Sequence, residues 1–457
     1  MIAGPPRRTL LPGAVIGIVL AVQCLVAVRV ALHDPRRIRT PDSSTYELPA
    51  RAMLEDGRFW TAPGSGDPEI KRTPGYPALI AATYAAFGER RAAVILLQIF
   101  MNGAIVALIW RMAGRAGPAA GGVAAAFLCF DLPFLACAQY FLTETFFTLQ
   151  IVLFAAAWIR MDDRPDASRR CAVAALAGLC LAGAALTRPI AYYLAPFAAA
   201  AAAVAARRGG LPLRRAAGCG LALLVPFAVL CGGWQLRNLR ASGSAEFSQI
   251  KSVNLLRWRA AGIVALRDGI PFEAAQARLE QEIKLRHPAA SGAELFGLYS
   301  AEGRRIIRSE PLLFVRTAVD GFIRMTLVPG EYVVLRLLGV DPPSGPVGDL
   351  ARLGFQGFLR TWVLGRPWEL LLFCFAALHL LALEAFALVS LWRLPSRPAA
   401  ERSLALPAVA LVGYFVLVSS GPEAYPRFRA PIAPFLALLA GIGVQRLLAA
   451  RGRADRG

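Results

Sequence analysis

The sequence has little charge, few histidines and almost no lysine. Only 18% of its 457 residues are charged, whereas roughly a quarter are charged in soluble domains. Three of the 50 basic residues are lysines (Lys71, Lys251 and Lys284), and three scattered histidines argue against a histidine-based metal site. The eight cysteines contain no CxxC pair and lie in or beside apolar segments, which indicates buried free thiols rather than a disulfide scaffold.

The sequence is instead rich in long runs of apolar residues. Hydrophobic residues make up 56% of the chain and the mean hydropathy is +0.51, with a formal net charge of +20. Basic nucleic-acid binders are polar overall and carry a basic face, but here much of the arginine is confined to short stretches between long apolar runs. We therefore expect an all-α polytopic membrane protein among membrane lipids, and the pattern excludes a nucleic-acid partner, intrinsic disorder and a collagen-like fibre.

A spanning helix needs about 20 apolar residues. Ten segments meet this requirement in the sequence, near 11–32, 92–110, 117–135, 141–159, 171–187, 190–206, 216–234, 367–391, 404–420 and 430–449. The first follows Arg7 and Arg8 and is longer than a signal-peptide core, so we interpret it as an uncleaved anchor.

The arginine-rich gaps predict the orientation of these spans. They include Arg164 and Arg456. The positive-inside rule places these gaps and both termini on the cytoplasmic side of a plasma or bacterial inner membrane. The segments 33–91, 131–141, 187–190, 235–366 and 420–429 then face the exterior or periplasm. This divides the chain into a core with a catalytic first outer loop (1–234), an outer helical region (235–366) and C-terminal spans (367–457).

Amphipathic helices are expected in the outer segments. Short interfacial helices are predicted in 33–91, and two further helices from Pro271 to His287 and over 293–308. Within 312–328, Arg316, Asp320 and Arg324 form one charged stripe, which favours a helix lying in the membrane interface over an eleventh span.

Two outer acids stand in settings that suggest chemistry. Asp42 follows the first span, and Lys71 and Arg72 come later in the same loop; the alternative is that Asp42 simply caps the next helix. Glu144 lies among phenylalanines where the fourth span starts, either as a functional carboxylate or as an acid stabilised by the helix dipole. Asp131 is expected to be a plain loop acid.

Three arginine sites next to the spans face the outer side, where the positive-inside bias disfavours them: Arg188, Arg237, and Arg427 with Arg429. A guanidinium binds phosphate through two parallel hydrogen bonds, so a lipid-linked phosphate is one explanation. The other is that their charged ends reach lipid headgroups while their stems stay in the membrane.

Several short motifs, in order, resemble a known family. They are D-x-x-x-Y at Asp42 and Tyr46, R-T-P-G-Y-P at 72–77, a proline and glutamate at Pro133 and Glu144, T-R-P at 187–189, W-x-x-R-N from Trp234, and R-F-R-x-P-I-x-P at 427–434. Together they resemble the GT-C glycosyltransferases, a group that includes protein O-mannosyltransferases and lipid A aminoarabinose transferases. The resemblance covers most of the chain and implies a GT-C-like bundle of about ten transmembrane helices.

The resemblance also implies roles for individual residues. Asp42 takes the place of the catalytic acid, Glu144 that of the second acid, and Arg72 that of the cation on the donor phosphate, with Arg188 and Arg237 beside it. Tyr46, Tyr76 and Arg427 are expected to contact substrate. Protein O-mannosyltransferases follow the first acid with a second, whereas this chain has Ser43, which argues against protein mannosylation. No cofactor is assigned, and a divalent metal has no clear ligand set.

The implied reaction transfers a sugar (a hexose or pentose) from a polyprenyl-phosphate-linked donor to a cell-envelope acceptor, which is a glycolipid, a polysaccharide or a protein. Asp42 takes the proton of the acceptor hydroxyl, and one displacement inverts the anomeric centre. The alternative function is a transporter or flippase of a lipid-linked or anionic substrate. Transporters place their sites near the midplane between repeats, whereas the unusual charges here cluster at one face and no repeat is visible.

Overall fold

A computed structural model describes residues 10–162, 166–340 and 345–454. Within these ranges the chain is helical and has no strand, apart from one isolated bridge between Trp60 and Pro68. Arg7, Arg8, Arg164 and Arg456, which contribute to the predicted orientation, lie outside the described residues.

The first half of the chain contains ten α-helices. They are α1 (Leu10–His33), α2 (Ser44–Glu55), α3 (Gly75–Phe87), α4 (Arg91–Ala113), α5 (Pro118–Phe130), α6 (Leu132–Cys137), α7 (Glu144–Asp162), α8 (Ala167–Thr187), α9 (Leu194–Arg208) and α10 (Leu213–Ser242). Helices α2 and α3 are the short helices expected in the first outer loop.

The second half continues with α11 (Ile250–Val253), α12 (Ala261–Asp268), α13 (Phe272–Arg286), α14 (Gly292–Ser309), α15 (Pro311–Thr326), α16 (Tyr332–Leu337), α17 (Pro346–Phe358), α18 (Pro367–Leu391), α19 (Ala399–Ser419) and α20 (Ala433–Ala454). A π-helix from Asn254 to Ala260 joins α11 to α12, and a second one, Leu359–Leu364, follows α17. Helices α13 and α14 match the two that the sequence predicts.

Nine helices of the described chain are long and apolar enough to cross a membrane. The protein is thus an all-α, multi-pass membrane protein, as predicted. The exception among the ten expected spans is 117–135, because α5 has only 13 residues. At 1.5 Å per residue such a helix is about 20 Å long, shorter than the hydrocarbon layer of about 30 Å.

Asp131 is the reason that α5 stops. Its Oδ1 accepts a hydrogen bond from the backbone N–H of Phe134 (2.9 Å) and so caps α6, which has Pro133 in its first turn. Asp131 is 1% exposed, which corrects the expectation of a plain loop acid. A local side-chain cap followed by proline ends one helix and starts the next.

The membrane helices pack through small residues. Helix α8 lies between α7 and α10, and α20 packs on α5 and α18. A Cβ at Gly178 would overlap the carbonyl of Leu223 on α10, and one at Gly441 would overlap the carbonyl of Ala120 on α5. These glycines let the helix backbones approach closely, which is how helices associate where lipid is as apolar as the side chains.

Helix α15 has the two faces that the charged stripe predicts. Its apolar side chains are exposed, including Leu312 and Val315, which are 82% and 56% exposed. Arg324 instead points toward the protein and donates to the carbonyls of Gly421 and Ala424. An exposed apolar face of this kind suits a helix that lies on the lipid interface.

Candidate active site

Asp42 lies on a turn immediately before α2. The hydroxyl of Ser43 holds this turn, because it donates to the carbonyl of Phe141 (2.9 Å) and accepts from the N–H of Thr40 (2.9 Å). The Asp42 carboxylate does not cap α2. Its Oδ1 accepts from Nη2 of Arg72 at 2.7 Å instead, so the helix-cap alternative is not observed.

Arg72 is fixed at both its backbone and its side chain. One oxygen of the buried Glu69 accepts from the backbone N–H groups of Lys71 (2.6 Å) and Arg72 (2.8 Å). The guanidinium donates from Nε to the hydroxyl of Thr45 (3.0 Å) and from Nη1 to that of Tyr46 (2.9 Å), in addition to Asp42. Its position therefore depends on the first outer loop alone.

The glycine of R-T-P-G-Y-P brings this loop against the end of α8. A Cβ at Gly75 would lie 2.6 Å from Oγ1 of Thr187 and 2.7 Å from the carbonyl oxygen of Leu186. Only glycine allows the start of α3 to approach so closely. Arg188 is the next residue after α8, so this contact sets the distance between the loop and Arg188.

Glu144 holds two arginines from distant parts of the chain. It is the first residue of α7 and 2% exposed, and its Oε1 lies 3.0 Å from Nη1 of Arg188 and 3.2 Å from Nε of Arg427. Nη2 of Arg427 also lies 3.9 Å from Oδ2 of Asp42. Arg427 thus links the two carboxylates that the sequence selects.

Aromatic rings surround the same arginines. The guanidinium of Arg427 lies 5.0 Å from the ring centre of Tyr425 and 5.6 Å from that of Phe428. Arg188 lies 5.7 Å from the ring of Phe428 and equally far from that of Phe147. Cation–π contacts of this kind hold a guanidinium in place in addition to its ion pairs.

The loop that carries Arg427 is held by a second arginine. Arg429 is 2% exposed and donates to the carbonyls of Met325 (3.1 Å), Val328 (3.0 Å) and Pro329 (2.9 Å) at the end of α15. Arg429 therefore satisfies carbonyls that the helix end leaves unpaired. It has a structural contact here, rather than contact with a ligand site.

The charges determine the protonation state of Asp42. Burial alone would raise the pKa of Asp42, but Arg72 and, less strongly, Arg427 outweigh it and lower that pKa below its usual value. Burial raises the pKa of the Tyr46 hydroxyl, so this group stays protonated. At neutral pH the site consequently presents an ionised carboxylate beside several guanidinium groups.

These side chains line one cavity of about 910 Å³. Asp42, Tyr46, Arg72, Glu144 and Arg188 contribute to its wall, together with Arg427. The cavity wall carries nine arginine and lysine side chains against four carboxylates, so it favours an anion. Its volume lies within the range of about 300–1,000 Å³ that is typical of small-molecule sites.

Two expected site residues do not reach this cavity in the described part of the chain. Tyr76 is completely buried, donates to Oε1 of Gln98 (2.5 Å) and packs edge-on against Tyr46. Arg237 donates to the carbonyls of Phe59 (2.5 Å) and Glu69 (2.7 Å). Both support the first outer loop from behind, and their contacts with substrate and donor phosphate stay predictions.

The cavity also has walls that the motifs do not indicate. The π-helix contributes Arg257, Trp258 and Arg259, helix α11 contributes Lys251, and the loop after α19 contributes Glu423. The ion pair between Arg259 and Glu423 (2.9 Å) connects the π-helix to the loop that carries Arg427. The rarity of lysine is the one sequence feature that could have indicated these walls, since two of the three lysines, Lys71 and Lys251, line this cavity.

A resident metal finds little support in the side chains. Among the described residues, no group of three or more histidine, cysteine, aspartate or glutamate side chains could hold a metal ion. The two carboxylates that the motifs select, Asp42 and Glu144, are each paired with an arginine. We therefore derive no step through a metal.

Comparisons with known proteins identify similar folds at low sequence identity. No protein-family model and no curated protein matches the sequence. The chain is similar to the apo oligosaccharyltransferase of Archaeoglobus fulgidus (13% identity, 96% of this chain and 52% of that one, TM-score 0.50). It also matches the archaeal oligosaccharyltransferase AglB of that organism in complex with an inhibitory peptide and a dolichol-phosphate (14% identity, 97% of this chain and 52% of that one, TM-score 0.48). ArnT from Cupriavidus metallidurans bound to undecaprenyl phosphate is a further match (15% identity, 94% of this chain and 60% of that one, TM-score 0.43).

The chain spans about half to three-fifths of the length of these proteins. At such low identity the likeness concerns the fold alone. The similarity to the apo archaeal oligosaccharyltransferase extends over 96% of this chain and concerns its helical fold.

Proposed function

We propose that the protein is a membrane glycosyltransferase that moves a sugar from a polyprenyl-phosphate donor to an acceptor at the outer face of the membrane. The observation that carries this proposal is the pairing of the Asp42 carboxylate with Arg72 at 2.7 Å in a strongly cationic cavity. A carboxylate supplies a base, and the guanidinium beside it supplies a phosphate site. Because fold does not determine function, the proposal rests on this site.

The reaction is a single displacement at the anomeric carbon. The acceptor oxygen forms a bond to that carbon while its proton passes to a carboxylate oxygen of Asp42. The bond between the carbon and the donor phosphate oxygen breaks, and the electron pair leaves with the polyprenyl phosphate. One displacement inverts the configuration, and Arg72, Arg188 and Arg427 stabilise the charge that grows on the phosphate.

Glu144 acts in this scheme as a positioning residue. It binds Arg188 and Arg427 through one oxygen, at 3.0 and 3.2 Å, and so holds two cations at a single place. Its one negative charge leaves the pair of arginines with a net positive charge. That surplus is what a leaving phosphate requires, and the buried carboxylate keeps both guanidinium groups in position before the donor arrives.

The location of the cavity suits a lipid-linked donor. It is lined by residues at the start of α7 and the end of α8, where membrane helices meet the outer loops. Tyr193 and Val418 also line it and are 53% and 38% exposed, which provides an apolar path to the lipid. The arginine-rich helix ends do not line this cavity. An example is Arg446 of α20, which pairs with Glu401 of α19. We assign these helix ends and both termini to the cytoplasmic face.

The test uses the purified full-length chain in lipid nanodiscs with an undecaprenyl-phosphate-linked sugar. Release of undecaprenyl phosphate measures cleavage of the donor, and mass spectrometry of envelope glycolipids from cells with and without the chain identifies the product. Absence of donor cleavage, together with movement of the intact lipid-linked sugar across a proteoliposome membrane, would favour the transporter alternative.

A further inference from the structure

Lys71 carries an ammonium group without a partner. The side chain is half-buried and lines the cavity, and among the described residues no acceptor or carboxylate pairs with its Nζ. Its backbone is fixed, because the N–H donates to Glu69 and the carbonyl accepts from the hydroxyl of Ser248 (2.5 Å). The backbone at Lys71 is therefore fixed, and its ammonium group has no hydrogen-bond or ion-pair partner among the described residues.

The carboxylates that could neutralise Lys71 have other partners. An oxygen of Glu69 accepts the backbone N–H groups of Lys71 and Arg72. Glu246 pairs with Lys251 at 2.8 Å, and Glu280 pairs with Arg257 at 2.5 Å.

An unpaired cation that is partly removed from water is energetically unfavourable. Burial lowers the pKa of Lys71, and the neighbouring Arg72 lowers it further, although Glu69 and Asp42 act in the opposite direction. An anion bound in the cavity would remove this cost. The same reasoning does not apply to Lys284, which is exposed on α13 and lies away from the cavity.

Two further cations line the same cavity as Lys71. They are Lys251 and Arg257, in the segment that follows Ser248, whose hydroxyl donates to the Lys71 carbonyl. Arg257 contributes to lowering the pKa of Lys71. The pKa of Asp42 is influenced by Arg427 and Arg188, and Arg72 influences both Asp42 and Lys71. Arg72 is thus shared, whereas Arg188 and Arg427 act on Asp42 and Arg257 acts on Lys71.

We propose that Lys71, together with Lys251 and Arg257, binds an oxyanion carried by the acceptor, a phosphate or a carboxylate. This inference rests on the proposed function and adds to it that the acceptor is anionic. The donor phosphate has the same chemistry, so the experiment must distinguish the two sources. We assign the donor phosphate to Arg72, Arg188 and Arg427 beside Asp42, so that Lys71 stays accessible to the anion of the acceptor.

The small number of lysines permits a direct measurement. Amine acylation of the full-length protein in nanodiscs, followed site by site with mass spectrometry, reports on Lys71, Lys251 and Lys284 in the same sample. Three additions are compared: undecaprenyl phosphate alone, undecaprenyl phosphate with glucose 6-phosphate, and undecaprenyl phosphate with glucose. No sugar transfer is needed, so the outcome is independent of whether the donor is cleaved.

We expect glucose 6-phosphate at ten times its Kd to slow acylation of Lys71 about tenfold, because only unoccupied protein reacts. Undecaprenyl phosphate alone and glucose should leave Lys71 reactive, and Lys284 is the internal control that should not change. Arg257→Gln should raise the Kd measured in this way. Full protection by undecaprenyl phosphate alone would assign the anion to the donor and overturn the proposal, as would no protection by glucose 6-phosphate.

Discussion

Nη2 of Arg72 donates to Oδ1 of Asp42 at 2.7 Å, while Nε and Nη1 of the same guanidinium bind Thr45 and Tyr46. The pairing places the proposed base and the proposed phosphate-binding group side by side before any substrate is present. A lysine in place of Arg72 could not make these three contacts in one plane, because an ammonium lacks the guanidinium fork. Five predictions follow from this site and the helices that hold it.

Replacing Asp42 with asparagine tests the proposed base. The amide keeps the size of the side chain but cannot take a proton, so release of undecaprenyl phosphate from a lipid-linked sugar should fall by about 10²-fold or more. The matched control is Asp67→Asn, since Asp67 is exposed in the same loop and does not line the cavity. Wild-type turnover by the Asp42→Asn protein would refute the assignment. Asp131 cannot serve as a control, because it is a buried helix cap.

The pH dependence of turnover should reveal the effect of Arg72 on Asp42. A depressed pKa keeps Asp42 ionised and active, so turnover should be lost only as the pH falls through a value below the ordinary aspartate pKa of about 3.9. Arg72→Gln removes the strongest influence that lowers this pKa. The acid limb of its residual activity should move to higher pH, and an unmoved or lowered limb would contradict the proposed coupling.

Gly75→Ala should disturb the site without changing any charge. The added methyl group would meet Thr187 and the backbone of Leu186, which forces α3 away from the end of α8. Arg72 and Arg188 then separate, and we expect turnover to fall by about 10²-fold, as when a positioned group is displaced by about 1 Å. Gly233→Ala on α10 is the control, because a Cβ there meets nothing within 4 Å. Equal turnover in the two variants would show that the contact is not needed.

Cysteine labelling tests the proposed orientation. In a background without native cysteines, Ala289→Cys in the exposed turn after α13 should react with an impermeant maleimide added to intact cells. Ser396→Cys, in the exposed turn between α18 and α19, should react only after lysis. The reverse pattern would place the cavity on the cytoplasmic side.

Arg429→Met should destabilise the protein. The variant leaves the carbonyls of Met325, Val328 and Pro329 without their donor, and each buried unsatisfied group costs about 1–3 kcal/mol. The midpoint of thermal unfolding in nanodiscs should fall. Arg308→Met, on the exposed side of α14, provides a control of identical chemistry and should leave the midpoint unchanged. A stable Arg429→Met protein would remove the structural role of this arginine.

The sequence predicts the parts of this protein that depend on local pattern. Membrane helices are recognisable because about 20 consecutive apolar residues have few alternatives. Asp42 and Arg72 could be paired because they lie in one short loop. The end of α5 was missed because Asp131 and Pro133 were counted as part of an apolar run, although a capping side chain followed by proline is a helix-stop signal.

Other features depend on packing between distant segments. Tyr76 and Arg237 belong to the motifs, but their polar groups bind within the protein. Tyr76 donates to Gln98 of α4, and Arg237 donates to backbone carbonyls of the 59–69 segment. The π-helix 254–260 has no signature in the sequence, since its geometry is set by the elements around it. The unpaired ammonium of Lys71 becomes visible only when the partners of Glu246 and Glu280 are known.

The position of Arg427 has a consequence for the order in which the protein becomes competent during synthesis. Arg427 contacts Asp42 and Glu144, so residues from the first outer loop and from the loop before α20 must meet. A nascent chain that has inserted only as far as α19 has its carboxylates and Arg188 but lacks the cation that links them. The ion pairs among these residues are therefore complete only after the loop before α20 has been inserted.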